Sequence, residues 1–337
     1  MTKTETFRRT AFLCLLAVLL LFPGPTPTRS ATSNPQKTQV TFITQWVPQA
    51  QFAGYYMALD CGLYRQEGLE VTIIHGGPSR ASSTWLEKGK ADFASFWLVS
   101  GIELRNRKIP VVNLAQLVQK SAMMLVARKK DGILEPGDMA GRRVSLWGPP
   151  FDFQARLFFK KFKLDIVPVR QSYSINLFLR GAVAVTSAMW YNEYHRIINA
   201  GLDPDELVTF RFADYGLNFP EDGIYVMQSF LEAHPETCRA FVRATLAGWE
   251  KAFSQPEKAL DLTMSRIRKN HIISNRVQQR WMLMRMRDIM QPGTGGIMGR
   301  LEADAYRQTV AGLKELKVIE KAPSYEDFHH FSAGGEK

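Results

Sequence analysis

Cysteine is scarce in this chain. Only three occur among 337 residues, and beyond the first thirty residues just Cys61 and Cys238 remain, with no C-x-x-C pair and no cysteine–histidine spacing suited to a metal. An oxidising compartment would permit one disulfide, a pairing that sequence alone does not decide. The six histidines, at 75, 195, 234, 271, 329 and 330, lack ligand spacing apart from the adjacent last two. G-x-S-x-G, H-E-x-x-H and a P-loop are absent. Pro292-Gly293-Thr294-Gly295-Gly296 follows no strand and reads as a loop rather than a phosphate cradle. No catalytic residue, no metal and no cofactor is expected. There is no internal repeat and no low-complexity tract. The longest apolar run, Ala11 to Phe22, has 12 residues, where about 20 are needed to span a bilayer as a helix.

That run has another use. Arg8-Arg9 precede it, and Pro23-Gly24-Pro25 with a Ser/Thr/Ala segment ending near Ala31 follow it, which is the order of a secretory signal over residues 1–30. Cys14 lies inside the run rather than after it, against a lipoprotein. The expectation is a periplasmic or extracytoplasmic protein that keeps no membrane-spanning segment. Without Lys3, Arg8, Arg9, Arg29 and Glu5 the formal charge falls from +11 to +8. The remaining basic residues are scattered, in short runs such as Arg128-Lys129-Lys130 and Lys160-Lys161, so no nucleic-acid partner is expected.

About 305 residues exceed what one core usually holds, and two lobes are expected. Short apolar runs predict strands at Gln39 to Thr44, Leu69 to Ile74, Asp92 to Leu98, Val111 to Val118 and Ala122 to Arg128. A second series follows at Arg143 to Trp147, Ala182 to Met189 and Leu207 to Phe212, then Ile224 to Met227. Helices are predicted near Asp152 to Phe162 and Ser187 to Ala200, and over Pro235 to Ser254, Pro256 to Lys269, Asn275 to Met290 and Leu301 to Leu316. The alternation is that of an α/β fold with largely parallel sheets. Turn clusters at Lys129 to Asp138 and Asn218 to Gly223 divide it: lobe 1 over 31–128, an inserted lobe 2 over 129–222, and completion of lobe 1 over 223–337.

The segment Gln45 to Tyr56, straight after the first strand, carries the functional signal. It gathers Trp46, Tyr55 and Tyr56 with Gln45, Gln49 and Gln51 around a proline and a glycine. Flat aromatic faces and amide edges at a strand-to-helix junction suit a planar polar ligand, and three amides so close together need partners. Trp97 and Trp147 end strands, where ligands sit in open parallel sheets; each either stacks on a ligand or packs in the core. Asp152 either caps the helix it opens or leaves that N-terminus to a carbonyl or anion.

The ordered set Gln45 to Tyr56, Gly62-Leu63-Tyr64, Glu67 to Val71, Gly76-Gly77-Pro78, Gly89 to Phe93, Gly141 to Val144, Met189 to Tyr194 and Ala213 to Gly216 resembles the NMT/THI-like substrate-binding proteins. The resemblance covers nearly the whole chain after the signal. It implies a two-lobed type II periplasmic binding fold, each lobe a mainly parallel sheet flanked by helices, and a monomer that delivers a small heterocycle, such as a pyrimidine precursor of thiamine, to an ABC importer permease. Tyr191, Asn192 and Glu193 then fall at a cleft-facing crossover, where the Glu193 carboxylate would accept from an aminopyrimidine; Asp214 and Tyr215 are further candidates. Pyrimidine synthases also resemble this family, but Phe96 stands where their pyridoxal-phosphate lysine would be and Ser100 where their histidine would be. An imine cannot form on Phe96. A periplasmic sensor module would share the fold.

Overall fold

In the computed structural model, residues 37–291 and 296–331 are described; the signal expected over 1–30 and residues 292–295 of the glycine-rich loop lie outside them. Ten strands occur in chain order: β1 (Thr38–Thr44), β2 (Leu69–His75), β3 (Phe93–Trp97), β4 (Val111–Gln116), β5 (Met123–Arg128), β6 (Arg143–Leu146), β7 (Val167–Arg170), β8 (Val185–Met189), β9 (Leu207–Arg211) and β10 (Asp222–Met227). The runs Phe93–Trp97, Val111–Gln116 and Met123–Arg128 are buried at every position, as expected where both faces of a sheet are covered.

The strands make two five-stranded sheets of one topology, β2-β1-β3-β10-β4 and β7-β6-β8-β5-β9. In each, four strands share a direction and one is reversed, β10 in the first and β5 in the second. The reversed strand is the first one laid down after the chain crosses from the other sheet. It enters from the end where the previous strand stopped, so it runs back. The two crossings lie side by side: the Leu117 and Val118 N–H groups donate to the Asp222 carbonyl at 3.1 and 2.9 Å, and Glu221 N–H returns a bond to the Val118 carbonyl at 3.1 Å.

This topology moves the first boundary. The end of lobe 1's first part was expected at residue 128, yet β5 pairs with β8 and β9, so the chain leaves the first sheet after Gln116. Hydrophobicity marks β5 as buried without saying which sheet covers it. The second turn cluster also differs from expectation, because Glu221 and Asp222 are buried. Strand β7 was not anticipated. Its Pro168 interrupts the apolar pattern and is tolerated because the strand is an edge, paired with β6 alone.

Helices cover the sheets close to their expected ranges, at Phe153–Lys161, Pro235–Ser254, Pro256–Lys269, Arg276–Met290 and Ala303–Glu315. The helix expected from Ser187 starts at Glu193, since β8 occupies Val185–Met189. Asp152 stands at the N-cap of Phe153–Lys161 but its side chain makes no capping bond. The helix Ala53–Asp60 is pressed onto Pro235–Ser254. A Cβ on Gly54 would meet the Trp249 ring at 2.2 Å, and one on Gly248 would meet the Gly54 carbonyl oxygen at 2.3 Å. Only glycine at both positions allows this approach. Cys61 and Cys238 are free thiols, and among the described residues no helix is long and apolar enough to cross a membrane.

Candidate functional site

The carboxyl ends of β1, β3, β6 and β8 converge. Trp46 follows β1, Trp97 ends β3, Trp147 and Phe151 follow β6, and Tyr191, Asn192 and Glu193 follow β8; these residues line one cleft, with Tyr173 beyond β7. By strand order β6 corresponds to β1 and β8 to β3, so both sheets present equivalent edges, the position open α/β sheets use for ligands.

Local contacts hold the first-lobe wall. Gly76, at the end of β2, lies so near the turn that a Cβ there would meet the Thr44 carbonyl oxygen at 2.3 Å and that of Gln45 at 2.8 Å. Gln45 N–H donates to Ser95 Oγ at 2.9 Å, and Thr44 Oγ1 donates to the Trp46 carbonyl at 2.8 Å. From the C-terminal helices, Gln279 Oε1 accepts from Ala50 N–H at 2.7 Å and Met282 Sδ from Gln51 N–H at 3.3 Å.

The aromatic wall comes from both lobes. Trp46 meets Trp147 edge-on at 6.1 Å, Phe151 edge-on at 6.1 Å and Tyr173 at 5.4 Å with a tilt of 39°. Trp97 meets Phe151 edge-on at 4.8 Å. These are the geometries that ring quadrupoles favour. The space left between them is about 60 Å³.

The polar side of the cleft is a chain of amides ending on a buried carboxylate. Gln49 Nε2 donates to Gln51 Oε1, and Gln51 Nε2 donates to Asp222 Oδ2 at 2.6 Å. The Gln45 amide, oriented by its surroundings, donates to Asp222 Oδ1 and accepts from Trp97 Nε1 at 3.1 Å. Burial pushes the Asp222 carboxyl up to about 7, against the Gln51 bond that favours its ionised form, and burial pushes neighbouring Glu221 up to about 8. Across the cleft, Glu193 is buried; its Oε2 accepts from Met189 N–H at 2.9 Å and its Oε1 from Asn192 Nδ2 at 2.8 Å. Burial raises its pKa. A carboxylate has about four acceptor sites, so acceptor capacity remains for a ligand.

The structure thus gathers Trp46, Gln49, Gln51, Trp97, Trp147, Tyr191, Asn192 and Glu193. Four expected residues are elsewhere. Tyr55 packs in the core on Phe42 at 4.4 Å and on Trp249 at 6.1 Å, and Tyr56 is buried beneath Arg266, whose guanidinium lies 4.4 Å from its ring. The helix carrying them is enclosed, which turns aromatic residues into packing groups. Asp214 is exposed, and Tyr215 packs edge-on against Phe158 at 5.0 Å on the second lobe's flank. Asp222 was missed because an acidic pair beside Pro220 and Gly223 reads as a solvated turn; Tyr173 had no signal. Among the described residues lining the cleft there is no lysine, histidine, serine or cysteine. Phe96 is instead stacked on Tyr225 at 3.9 Å.

Among known proteins, the riboflavin-binding protein RibY of Chloroflexus aurantiacus is 27% identical over 253 residues, covering 72% of this chain and 71% of that protein. The formylaminopyrimidine-binding protein of Halalkalibacterium halodurans is 21% identical over 320 residues, covering 93% and 96%. The 4-amino-5-hydroxymethyl-2-methylpyrimidine phosphate synthase of Aspergillus parasiticus is 20% identical over 249 residues, covering 66% and 69%. The periplasmic aliphatic sulphonate binding protein SsuA from Escherichia coli superposes with a TM-score of 0.66 at 13% identity, covering 86% of this chain and 96% of that one. That likeness establishes the two-lobed periplasmic binding fold. The NMT1/THI5 like family model matches residues 49–259, a span running from the glutamines of the first lobe through the whole second lobe and both crossings. More than half of the sequence is included, and the chain belongs to the NMT1/THI5-like family.

Proposed function

We propose that this protein is the extracytoplasmic solute-binding component of an ABC importer and captures a small planar heterocycle between its lobes. The observation that carries the reading is the cleft itself, where Trp46 and Trp97 from one sheet face Trp147, Phe151 and Tyr173 from the other beside a directed chain of amides. A flat ring slides between such faces, and its N–H and ring-nitrogen edge meets Gln49, Asn192 and Glu193. The relatives named for riboflavin and formylaminopyrimidine bind ligands of this shape. The secretory-type N-terminus supports action outside the cytoplasm.

The gap of about 60 Å³ is well below the roughly 300–1,000 Å³ of small-molecule clefts. Entry therefore parts Trp46 from Trp147, and the change between open and closed forms is what a permease would read. A synthase reading is weaker: Phe96 has no amine, and the cleft offers no lysine to hold an aldehyde cofactor.

Mass spectrometry of small molecules released from the purified protein should find a planar heterocycle, and calorimetric titration with it should show Trp46→Ala binding about tenfold more weakly, from lost stacking of ~0.5–1.5 kcal/mol and lost buried area. Melting of the ligand-free variant should stay close to wild type. Wild-type affinity in Trp46→Ala, or turnover of pyridoxal phosphate to a pyrimidine, would overturn the proposal.

A further inference from the structure

The buried Asp222 carboxylate anchors two amide branches that differ in freedom. In one, Asp222 Oδ1 accepts from the Gln45 amide, whose oxygen accepts from Trp97 Nε1 at 3.1 Å. An indole N–H only donates, so this branch has a single direction and Oδ1 stays an acceptor. In the other, Asp222 Oδ2 accepts from Gln51 Nε2 at 2.6 Å, and Gln51 Oε1 accepts from Gln49 Nε2. Every link here is an amide, whose shape is unchanged when it is turned end for end. We infer that the Gln51–Gln49 branch is a reversible relay: with Asp222 ionised it presents the Gln49 carbonyl and takes the N–H edge of a heterocycle, and with Asp222 protonated it turns over, presents the Gln49 NH₂ and takes a carbonyl or ring-nitrogen edge. The inference rests on the binding reading above and adds to it the residue that sets which edge is chosen.

The proton has one place to go. On Oδ1 it would face the Gln45 NH₂, and turning Gln45 would set that NH₂ against the Trp97 N–H. On Oδ2 it donates to Gln51 Oε1 once that amide turns; Gln51 Nε2 then donates to Gln49 Oε1, and no bond of the chain is lost. Burial lifts the Asp222 carboxyl to about 7, so both states lie near neutral pH. The titratable groups facing it are Tyr55, Tyr191, Tyr225 and the adjacent Glu221, and none is cationic. Burial raises the three phenols above their ordinary value and keeps them neutral. Glu221, lifted to about 8, accepts from Ala122 N–H at 2.7 Å and Ser121 Oγ at 3.1 Å, apart from both amide branches. The other polar groups of the cleft keep their sense. Glu193 is fixed by the Met189 N–H, and Asn192 by donating to Glu193 and accepting from Gln278 Nε2. The Trp46 and Trp147 indoles only donate, while the Tyr173 and Tyr191 hydroxyls serve either sense.

Side-chain amide resonances of isotope-labelled protein, assigned by their loss in Gln49→Met and Gln51→Met, report the relay without a ligand. Between pH 6 and pH 8 those of Gln49 and Gln51 should shift together with a midpoint near 7. No such shift should appear in Asp222→Asn, whose NH₂ fixes the protonated sense, nor for Gln49 in Gln51→Met, where the chain is cut. A Gln49 resonance that stays still in wild type, or moves equally in Gln51→Met, would overturn the relay. Selection is read by calorimetric titration with indole, a flat ring system with one donor, and quinoline, one with a single acceptor. The wild-type preference for indole over quinoline should rise about tenfold from pH 6 to pH 8, and Asp222→Asn should keep the pH 6 preference at both. A wild-type preference independent of pH would overturn the inference and leave the cleft reading standing. Binding of neither probe would overturn the cleft reading, and the selection with it.

Discussion

Gln45 and Gln51 each bring a side-chain amide onto Asp222, and Gln49 joins through Gln51. An ionised carboxylate only accepts, so it turns both neighbouring NH₂ groups toward itself and leaves the Gln49 carbonyl as the outer end of the chain. Asp222→Asn supplies a donor in place of an acceptor. Titration should then show binding weakened by about tenfold, the order expected for losing a charge-assisted bond; unchanged affinity would mean that the amides orient themselves. The same carboxyl sets a pH dependence. Its folded pKa of about 7 exceeds the ordinary 3.8, and that of Glu221, about 8, exceeds 4.5. Between those values the folded state holds protons that the unfolded state has lost, so stability is fullest below the ordinary pKa and declines as pH rises toward 7 and 8. Between pH 5 and pH 7 the melting temperature of wild type should fall relative to that of Asp222→Asn, the buried His75 and His329, both lowered to about 4, contributing in the opposite sense in both proteins. Parallel curves for the two proteins would refute the assignment.

At the scale of elements, the site depends on a helix pair behind it. Helix Ala53–Asp60 continues directly from Gln49 and Gln51, and its depth against Pro235–Ser254 is set by Gly54 and Gly248. Neither added methyl has somewhere to go, because one meets an indole core and the other a backbone oxygen. Gly54→Ala should cost about 1–3 kcal/mol, as overpacking does, read as a lower denaturant midpoint. Gly54→Ala/Gly248→Ala should cost less than the two singles together, since one separation of the helices relieves both clashes. Full additivity, or an unmoved midpoint in either single variant, would count against this crossing.

For the whole molecule, closure is held from two sides. One is the pair of crossings at Val118 and Glu221. The other is a contact between the second lobe and helix Arg276–Met290, which is bonded to the first lobe through Gln279 and Met282. Gln278 Nε2 donates to the Asn192 carbonyl at 3.2 Å and to its Oδ1 at 3.3 Å, and Gln278 Oε1 lies 2.8 Å from His195 Nδ1. His195 stacks on Trp281 at 4.6 Å, while Trp281 Nε1 donates to the Trp190 carbonyl at 2.9 Å. Asn192 also lines the cleft, so closing and ligand contact share a residue. Gln278→Leu should shift the ligand-free protein toward an open form with a larger radius of gyration by small-angle scattering, and ligand should restore the wild-type value. Identical scattering of the two ligand-free proteins would show that the crossings alone set the angle.

Much of this was legible along the chain. Nine of the ten strands and the four long C-terminal helices follow from hydrophobic period and from Pro and Gly punctuation, because those signals act within a few residues. Trp46 and Trp97 share one edge of the first sheet, and Trp147 and the Tyr191-Asn192-Glu193 segment one edge of the second, for a local reason too: each follows or ends a strand of shared direction, and such ends fall on one side of a sheet, while the fold sets the two edges face to face. The sequence sets Tyr55 and Tyr56 among the aromatic faces expected for a ligand, and nothing local says that helix Pro235–Ser254 covers them. Met123–Arg128 reads as a strand whichever sheet receives it. Gln51 needs a partner by its chemistry, yet that partner stands 171 positions away, in a stretch that reads as a charged turn. Local propensity determined the elements and their ends; only the tertiary structure decided which buried group faces core and which faces the cleft, since that depends on what the folded chain brings opposite.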